Sequence, residues 1–169
     1  MELATLKQVW PLFHYCFPEV HRSSLDKNVD VMQWYMLEDS AFVCVYPCDF
    51  GVIVQYMGVS PWHRGRHLSS RMIQELRLQF PELDLYGECA PDGLMHRILL
   101  ERGWSKIPVN YSCPAWDEEP LDSNLDLLVN PCGDSPVNPL GFITSFYTTC
   151  FRNPDYALLE RYKKELQGS

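Results

Sequence analysis

A chain of 169 residues, 46% of them hydrophobic and 13% aromatic, can close one domain around a real core, which excludes a disordered polypeptide. Its net charge of −8 repels nucleic-acid phosphates except where a local basic patch overrides it, and no apolar run approaches the ~20 residues of a membrane span. Seven scattered cysteines without a Cys-x-x-Cys pair spell neither a disulfide framework nor a zinc ribbon, so reduced thiols in a cytoplasmic protein are the economical reading.

The N-terminal "MELATLKQVWPLF" lacks the charged region and apolar run of a signal peptide. Leu3, Leu6, Trp10 and Phe13 recur at helical spacing and predict a helix over residues 3–16, with Pro18 closing that region. The segment "DKNVDVMQWYMLED", 26–39, reads as a second helix with Val29, Met32 and Met36 on one face and Asp26 or Asn28 as its cap. Two apolar runs, about 41–46 and 51–59, flank the turn-like "PCDFG" and predict a hairpin. Leu68, Met72, Leu76 and Phe80 mark the buried stripe of a helix over about 66–80. A strand over 82–89 follows, then a helix with Pro91 at its start, Leu94, Ile98 and Leu99 inward, and Gly103 as its stop. "WSKIPVNYSC" is another strand, "AWDEEPLDSN" an acidic loop and "LDLLVN" a short strand. The tail from 131 opens with turn residues. It continues through "LGFITSFYTTCFRN", ambiguous between strand and helix, into a terminal helix. This order predicts an α/β fold with a mixed sheet whose early and late hairpins form antiparallel edges.

The stretch "MGVSPWHRGRHLSSRMIQEL", 57–76, passes from strand through a basic turn into a helix, with three arginines and two histidines between His63 and Arg71. A strand feeding a helix N-terminus presents backbone N–H groups to an anion, and arginines suit phosphate oxygens. The patch suits one polyphosphate-bearing small molecule and is too small for a duplex; a solvated basic turn without a ligand is the alternative. Its glycines follow neither the Walker nor the Gly-x-Gly-x-x-Gly pattern.

The same stretch resembles the signature of the GNAT superfamily of acyl-CoA N-acyltransferases: a strand ending in Val-x-Pro, then Arg-Gly-x-Gly-x-Gly/Ala, then a helix. Val59, Pro61, Arg64 and Gly65 match; His67 and Ser69 stand where small residues are usual. A second block, "LYGECAPDGLMHRILLERGW", is similar to the family's next strand and helix, with Gly103 and Trp104 in its Gly-Phe places and Leu99 in its tyrosine place. The resemblance covers about residues 41–113. It implies a GNAT-like, mostly antiparallel central sheet flanked by helices, with strands 51–59 and 82–89 splayed apart. The expected organisation is a GNAT-like domain over 1–130; the tail lies outside the resemblance, with 131–169 expected as a C-terminal extension packed on the same domain. Backbone groups of Met57 and Val59 would hold the pantetheine arm of acetyl-CoA. The N–H groups of Arg66, His67, Leu68, Ser69 and Ser70, with Arg64 and Gly65 beside them, would hold its pyrophosphate.

The implied reaction is direct transfer of an acetyl group to a primary amine, on a small molecule or on a protein lysine or N-terminus. It needs a base for the amine proton and a proton for the leaving thiolate. Glu88, at the end of a central strand, is the base candidate, with a solvated strand end as the alternative. Leu99 cannot supply a proton, so Tyr111 is the acid candidate, ahead of Cys113, Tyr86 and Tyr56. Glu38 and Asp39 at a corner either contact the acceptor or solvate it. His96 reads as packing, Cys89 as a small buried thiol, and His14 and His21 lack metal-ligand companions, so no metal is expected. Asp117, Glu118 and Glu119 either attract a cationic amine or aid solubility. The tail covers the acceptor side or builds a homodimer interface. Leu99 and His67 also motivate a second reading, a GNAT-like protein-binding module without catalysis. A nucleic-acid modifier on the same fold is opposed by the net charge.

Overall fold

The computed structural model describes residues 1–26, 30–65, 67–113, 122–123, 125–150 and 156–167. Contacts divide the chain into two compact units, 1–47 with 54–81 and 48–53 with 82–169.

The first unit contains β1 (Glu2–Ala4), α1 (Leu6–Cys16), α2 (Arg22–Asp26), β2 (Gln33–Leu37), most of β3 (Ala41–Cys48) and of β4 (Gly51–Val59), and α3 (Leu68–Gln79). Thr5 and Gln8 form a reciprocal capping box that starts α1 three residues later than the periodicity predicts, and Glu2–Ala4 pair antiparallel with β2 instead. Phe13 of α1 sits at the centre of an aromatic cluster, edge-on to Trp34 at 5.5 Å and to Tyr56 at 5.1 Å, with Phe42 at 5.6 Å. Gly58 lets that cluster close: an added Cβ would lie 2.5 Å from the Phe42 ring and 2.9 Å from the Cys16 sulfur. Met72, Ile73 and Leu76 are the buried stripe of α3.

The expected second helix over 26–39 is corrected. Its latter half is β2, antiparallel to β3 from Gln33↔Val45 to Leu37↔Ala41. Trp34 and Tyr35 are neighbours yet both buried, as happens in a strand covered on two faces and not on a one-sided helix. Glu38 and Asp39 both take positive φ, 51° and 59°, and Ser40 N–H bonds back to Leu37 C=O at 2.9 Å, closing a turn of the hairpin type. Of the two proposed caps, Asp26 ends α2, and Asn28 lies outside the described residues.

The second unit takes in Cys48 at the end of β3 and the first residues of β4, where Val52 N–H bonds Asp84 C=O at 2.9 Å. It continues through β5 (Leu85–Cys89), α4 (Leu94–Glu101), β6 (Ser105–Lys106), β7 (Ser112–Cys113), β8 (Asp122–Ser123), β9 (Asp126–Asn130), α5 (Pro139–Cys150) and α6 (Tyr156–Gln167). β9 pairs antiparallel with β5 and β6, and β7 with β8. The single strand expected over 104–113 is therefore broken into two short pieces, with Pro108, which lacks an N–H, between them. The ambiguous stretch after 139 is helical, and Phe142, Ile143, Phe146 and Tyr147 bury one stripe of it. Successive residues of β5 face opposite ways. Gly87 lies under Leu99 of α4 and Trp104, while Tyr86 stacks flat on Phe142 of α5, ring centroids 3.9 Å apart. Strand order is β1-β2-β3-β4-β5-β9-β6, an open seven-stranded sheet flanked by helices in an α/β fold.

Two outcomes follow from this packing. Gly58→Ala forces the aromatic cluster apart and lowers stability by about 1–3 kcal/mol in urea unfolding. Cys89 is buried, and burial, with the charges of Glu88 and Asp126, pushes its thiol up to about 12. Mass spectrometry after mild alkylation of the folded protein then finds exposed Cys132 modified and Cys89 untouched, and both modified once the chain is denatured.

Candidate active site

In the first unit, β4 ends at Val59 and Ser60 is pinned by its N–H to Ser40 C=O at 2.7 Å. A short 3-10 turn, Pro61–His63, leads to Arg64, and Gly65 then takes φ +85°, a conformation that only glycine adopts freely. Nothing lies within 4 Å of where a Gly65 Cβ would be, so the surface there is open. His67 is also left-handed, at φ 57°, and stands at the N-cap of α3. Its side chain makes no capping bond, and it is exposed. The first turn of α3, at Leu68, Ser69 and Ser70, therefore has no N-cap side chain closing it and no acidic residue inside it. Arg66 lies outside the described residues. Met57 and Val59 are in β4 as expected, and the Cys16 thiol points at the Val59 carbonyl from 3.8 Å. Burial raises that thiol, while the Arg64 charge and hydrogen bond beside it act the other way. Glu38 reaches Arg71 at 3.6 Å across the surface, which gives one corner residue a structural partner.

In the second unit, the structure brings Glu88 and Tyr111 together: the Tyr111 hydroxyl donates to Glu88 Oε1 at 3.0 Å. Glu88 is half-buried on β5 and Tyr111 is buried just before β7. The other two tyrosine candidates are committed to packing. Tyr86 stacks on Phe142, and Tyr56 lies against Phe13 and Phe17. Cys113 ends β7, and its side chain lies outside the described residues, as do Asp117, Glu118 and Glu119. Leu99 is buried in α4. His96 Nε2 lies 2.9 Å from Asp126 Oδ2, and Lys106 lies 3.3 Å from Oδ1, so this histidine is taken up by a carboxylate it shares with a lysine. His14 stacks on Trp10. Among the described residues, no group of His, Cys, Asp and Glu could hold a metal, and no helix is long and apolar enough to cross a membrane.

Sequence reasoning missed four residues around this pair. Tyr147 of α5 and Arg161, Tyr162 and Glu165 of α6 bond the backbone on either side of Tyr111. The spacing of 161, 162 and 165 on one helix face was the available signal, but nothing in the sequence says what that face meets.

No protein-family model matches the chain, and no curated protein matches its sequence. Solved structures do. A protein of Bacteroides thetaiotaomicron described as a GNAT-family acetyltransferase superposes with TM-score 0.69 at 17% identity, over 87% of this chain and 95% of that one. The ribosomal-protein-S18-alanine N-acetyltransferase of Escherichia coli matches with TM-score 0.57 at 14% identity, over 81% and 97%. An aminoglycoside 6′-N-acetyltransferase solved with coenzyme A gives 0.56 at 11%, over 80% and 99%. At such identities the likeness is one of architecture, and the architecture of this chain is that of the GNAT acetyltransferases.

Proposed function

We propose that the chain is an acyl-CoA-dependent N-acyltransferase that moves an acetyl group from acetyl-CoA to a primary amine by direct attack. The observation that carries this reading is the passage from β4 into α3, on a fold shared with N-acetyltransferases. Arg64, the open left-handed Gly65 and an α3 start without a side-chain cap are what a pyrophosphate requires of a backbone cradle. Met57 and Val59 would then bond the pantetheine arm. His67, Leu68, Ser69 and Ser70, with Arg66, would offer N–H groups to the phosphates. His67 suits a backbone role because its side chain is exposed and makes no capping bond.

Glu88 is the base in this reading. It takes a proton from the attacking amine and returns it to the departing thiolate, so the amine proton ends on the CoA thiol and Glu88 is regenerated. Tyr111, buried and donating to Glu88 Oε1, acts by holding the carboxylate in place. This differs from the role of direct proton donor expected of it from sequence. A binding module without catalysis is the second reading, favoured by one observation: Leu99, in the family's tyrosine place, is a buried core residue.

Calorimetric titration of the purified protein with acetyl-CoA separates the two. Micromolar one-site binding supports the enzyme, and absence of binding at millimolar ligand sinks it. Arg64→Ala weakens acetyl-CoA affinity by about ten- to a hundred-fold, the effect of losing a charge-assisted hydrogen bond. Unchanged affinity would mean that backbone alone holds the phosphates. Glu88→Gln lowers kcat by about a hundred-fold or more in an amine-acetylation assay while leaving acetyl-CoA affinity unchanged. Full turnover in that variant removes Glu88 from the mechanism.

A further inference from the structure

Tyr111 is held from the tail of the chain. On one side of it, Asn110 N–H donates to Glu165 Oε2 at 3.2 Å and its carbonyl accepts from the Arg161 guanidinium. On the other, Ser112 N–H donates to the Tyr162 hydroxyl at 2.8 Å and its carbonyl accepts from the Tyr147 hydroxyl at 2.9 Å. The two tyrosine oxygens lie 3.3 Å apart, so Tyr162 can spend its own proton on Tyr147 or on the Ser112 carbonyl, 3.2 Å away. The Tyr162 ring also stacks on the Tyr111 ring, centroids 5.9 Å apart and planes 14° from parallel. Tyr147 and Tyr162 are both buried. Burial raises the Tyr162 phenol, which keeps it protonated and able to donate.

Four side chains therefore hold the N–H and C=O of both residues flanking Tyr111, and one of them also covers its ring. β8 pairs with Ser112 along one edge, and two helices, α5 and α6, supply the remaining backbone partners through side chains. The Tyr111 hydroxyl reaches Glu88 from the far end of its ring, so a small rotation of the backbone at 110–112 becomes a larger displacement there.

We infer that α6 is a positioning element for Glu88: Tyr162 and Glu165 fix the backbone and ring of Tyr111 so that its hydroxyl stays on the Glu88 carboxylate. The inference rests on the reading of Glu88 as the base for its catalytic consequence, and on the geometry alone for the coupling. It gives residues 131–169 a function within the second unit. Neither Tyr162 nor Glu165 touches the reacting atoms; both are positioning residues.

The test uses the full chain labelled with 3-fluorotyrosine, with the Tyr111 fluorine resonance assigned by its loss in Tyr111→Phe. Glu88→Gln moves that resonance because the acceptor of the hydroxyl changes. Tyr162→Phe keeps the ring and removes the oxygen. Glu165→Ala releases the Asn110 N–H and the Arg161 guanidinium 3.9 Å away, without removing a core side chain, so it stands in if the first variant folds poorly. Both are expected to move the Tyr111 resonance, and a resonance unmoved in both overturns the inference whatever the activity. In kinetics, Tyr162→Phe is expected to lower kcat about ten-fold with the KM for acetyl-CoA unchanged, the kind of loss that follows a misplaced catalytic group. In a Tyr111→Phe background the same change is expected to cost nothing further, because the two residues act through one contact. An equal loss in both backgrounds overturns the inference. A shifted resonance combined with full turnover in Glu88→Gln supports the coupling and overturns the base assignment, so the two failures are distinguishable.

Discussion

The segment 110–112 governs the candidate catalytic pair, and its constraint is elementary. A backbone N–H or C=O removed from water must find a partner, and a short segment away from the main ladders has few to hand. Ser112 meets β8 along one edge, yet its own N–H and carbonyl are bonded by tyrosine hydroxyls. The partners come from the last helices of the chain, some 35 to 55 residues away in sequence. An element that reads from sequence as an appendage thus completes the hydrogen bonding of the segment that holds the candidate Tyr111.

The first unit solves a different problem by leaving groups open. A helix start normally ends in a Ser, Thr, Asp or Asn cap that absorbs the first N–H groups. The start of α1 does so with Thr5 and Gln8; the start of α3 does not, and has His67 there in a left-handed conformation. Left-handed backbone at a residue with a Cβ costs on the order of 1 kcal/mol, less for histidine than for branched residues. The same chain therefore caps one helix well and leaves another exposed at some cost. On the function proposed above, that open start is where the pyrophosphate would sit.

Legibility from sequence followed the locality of the forces. The hairpin over β3 and β4, α3, β5 and α4 were visible because alternation, a four-residue apolar repeat and Gly103 are local signals, although α4 starts at Leu94, three residues beyond Pro91, and Leu94 is exposed where it was expected inward. The 26–39 segment misled because Met32 and Met36 mimic a helical stripe, whereas once β1 and β3 pair with it Trp34 and Tyr35 point to opposite faces, against Phe13 and Phe80. No local signal announces two neighbouring strands. Of the candidate site, Glu88 and Tyr111 could be named from their residue types and positions. Their hydrogen bond could not, since 23 residues separate them and the strand between was expected to be continuous. Tyr162 was harder still: its stripe is visible in "LLERYKKEL", but its target is a backbone more than forty residues away.

Leu99 ties the packing to the proposed chemistry. Gly87 has no Cβ, so Leu99 lies directly over β5; a methyl group there would come within 3.3 Å of Leu99 Cδ1 and 3.5 Å of Trp104. A residue so placed is core, and a phenol at 99 would have to bury its hydroxyl against β5 or leave the stripe. The face of α4 that the family uses for a tyrosine is thus given over to closing the sheet. The opposite face of β5 carries Glu88, and beyond it Tyr111 stacked on Tyr162, with Tyr147 edge-on to Tyr162. On the function proposed above, proton handling has moved across the sheet from a helix to this stack. The C-terminal helices are the reason it can: without them Asn110 and Ser112, on either side of Tyr111, would lose these side-chain partners and the Tyr111 ring its stacking partner.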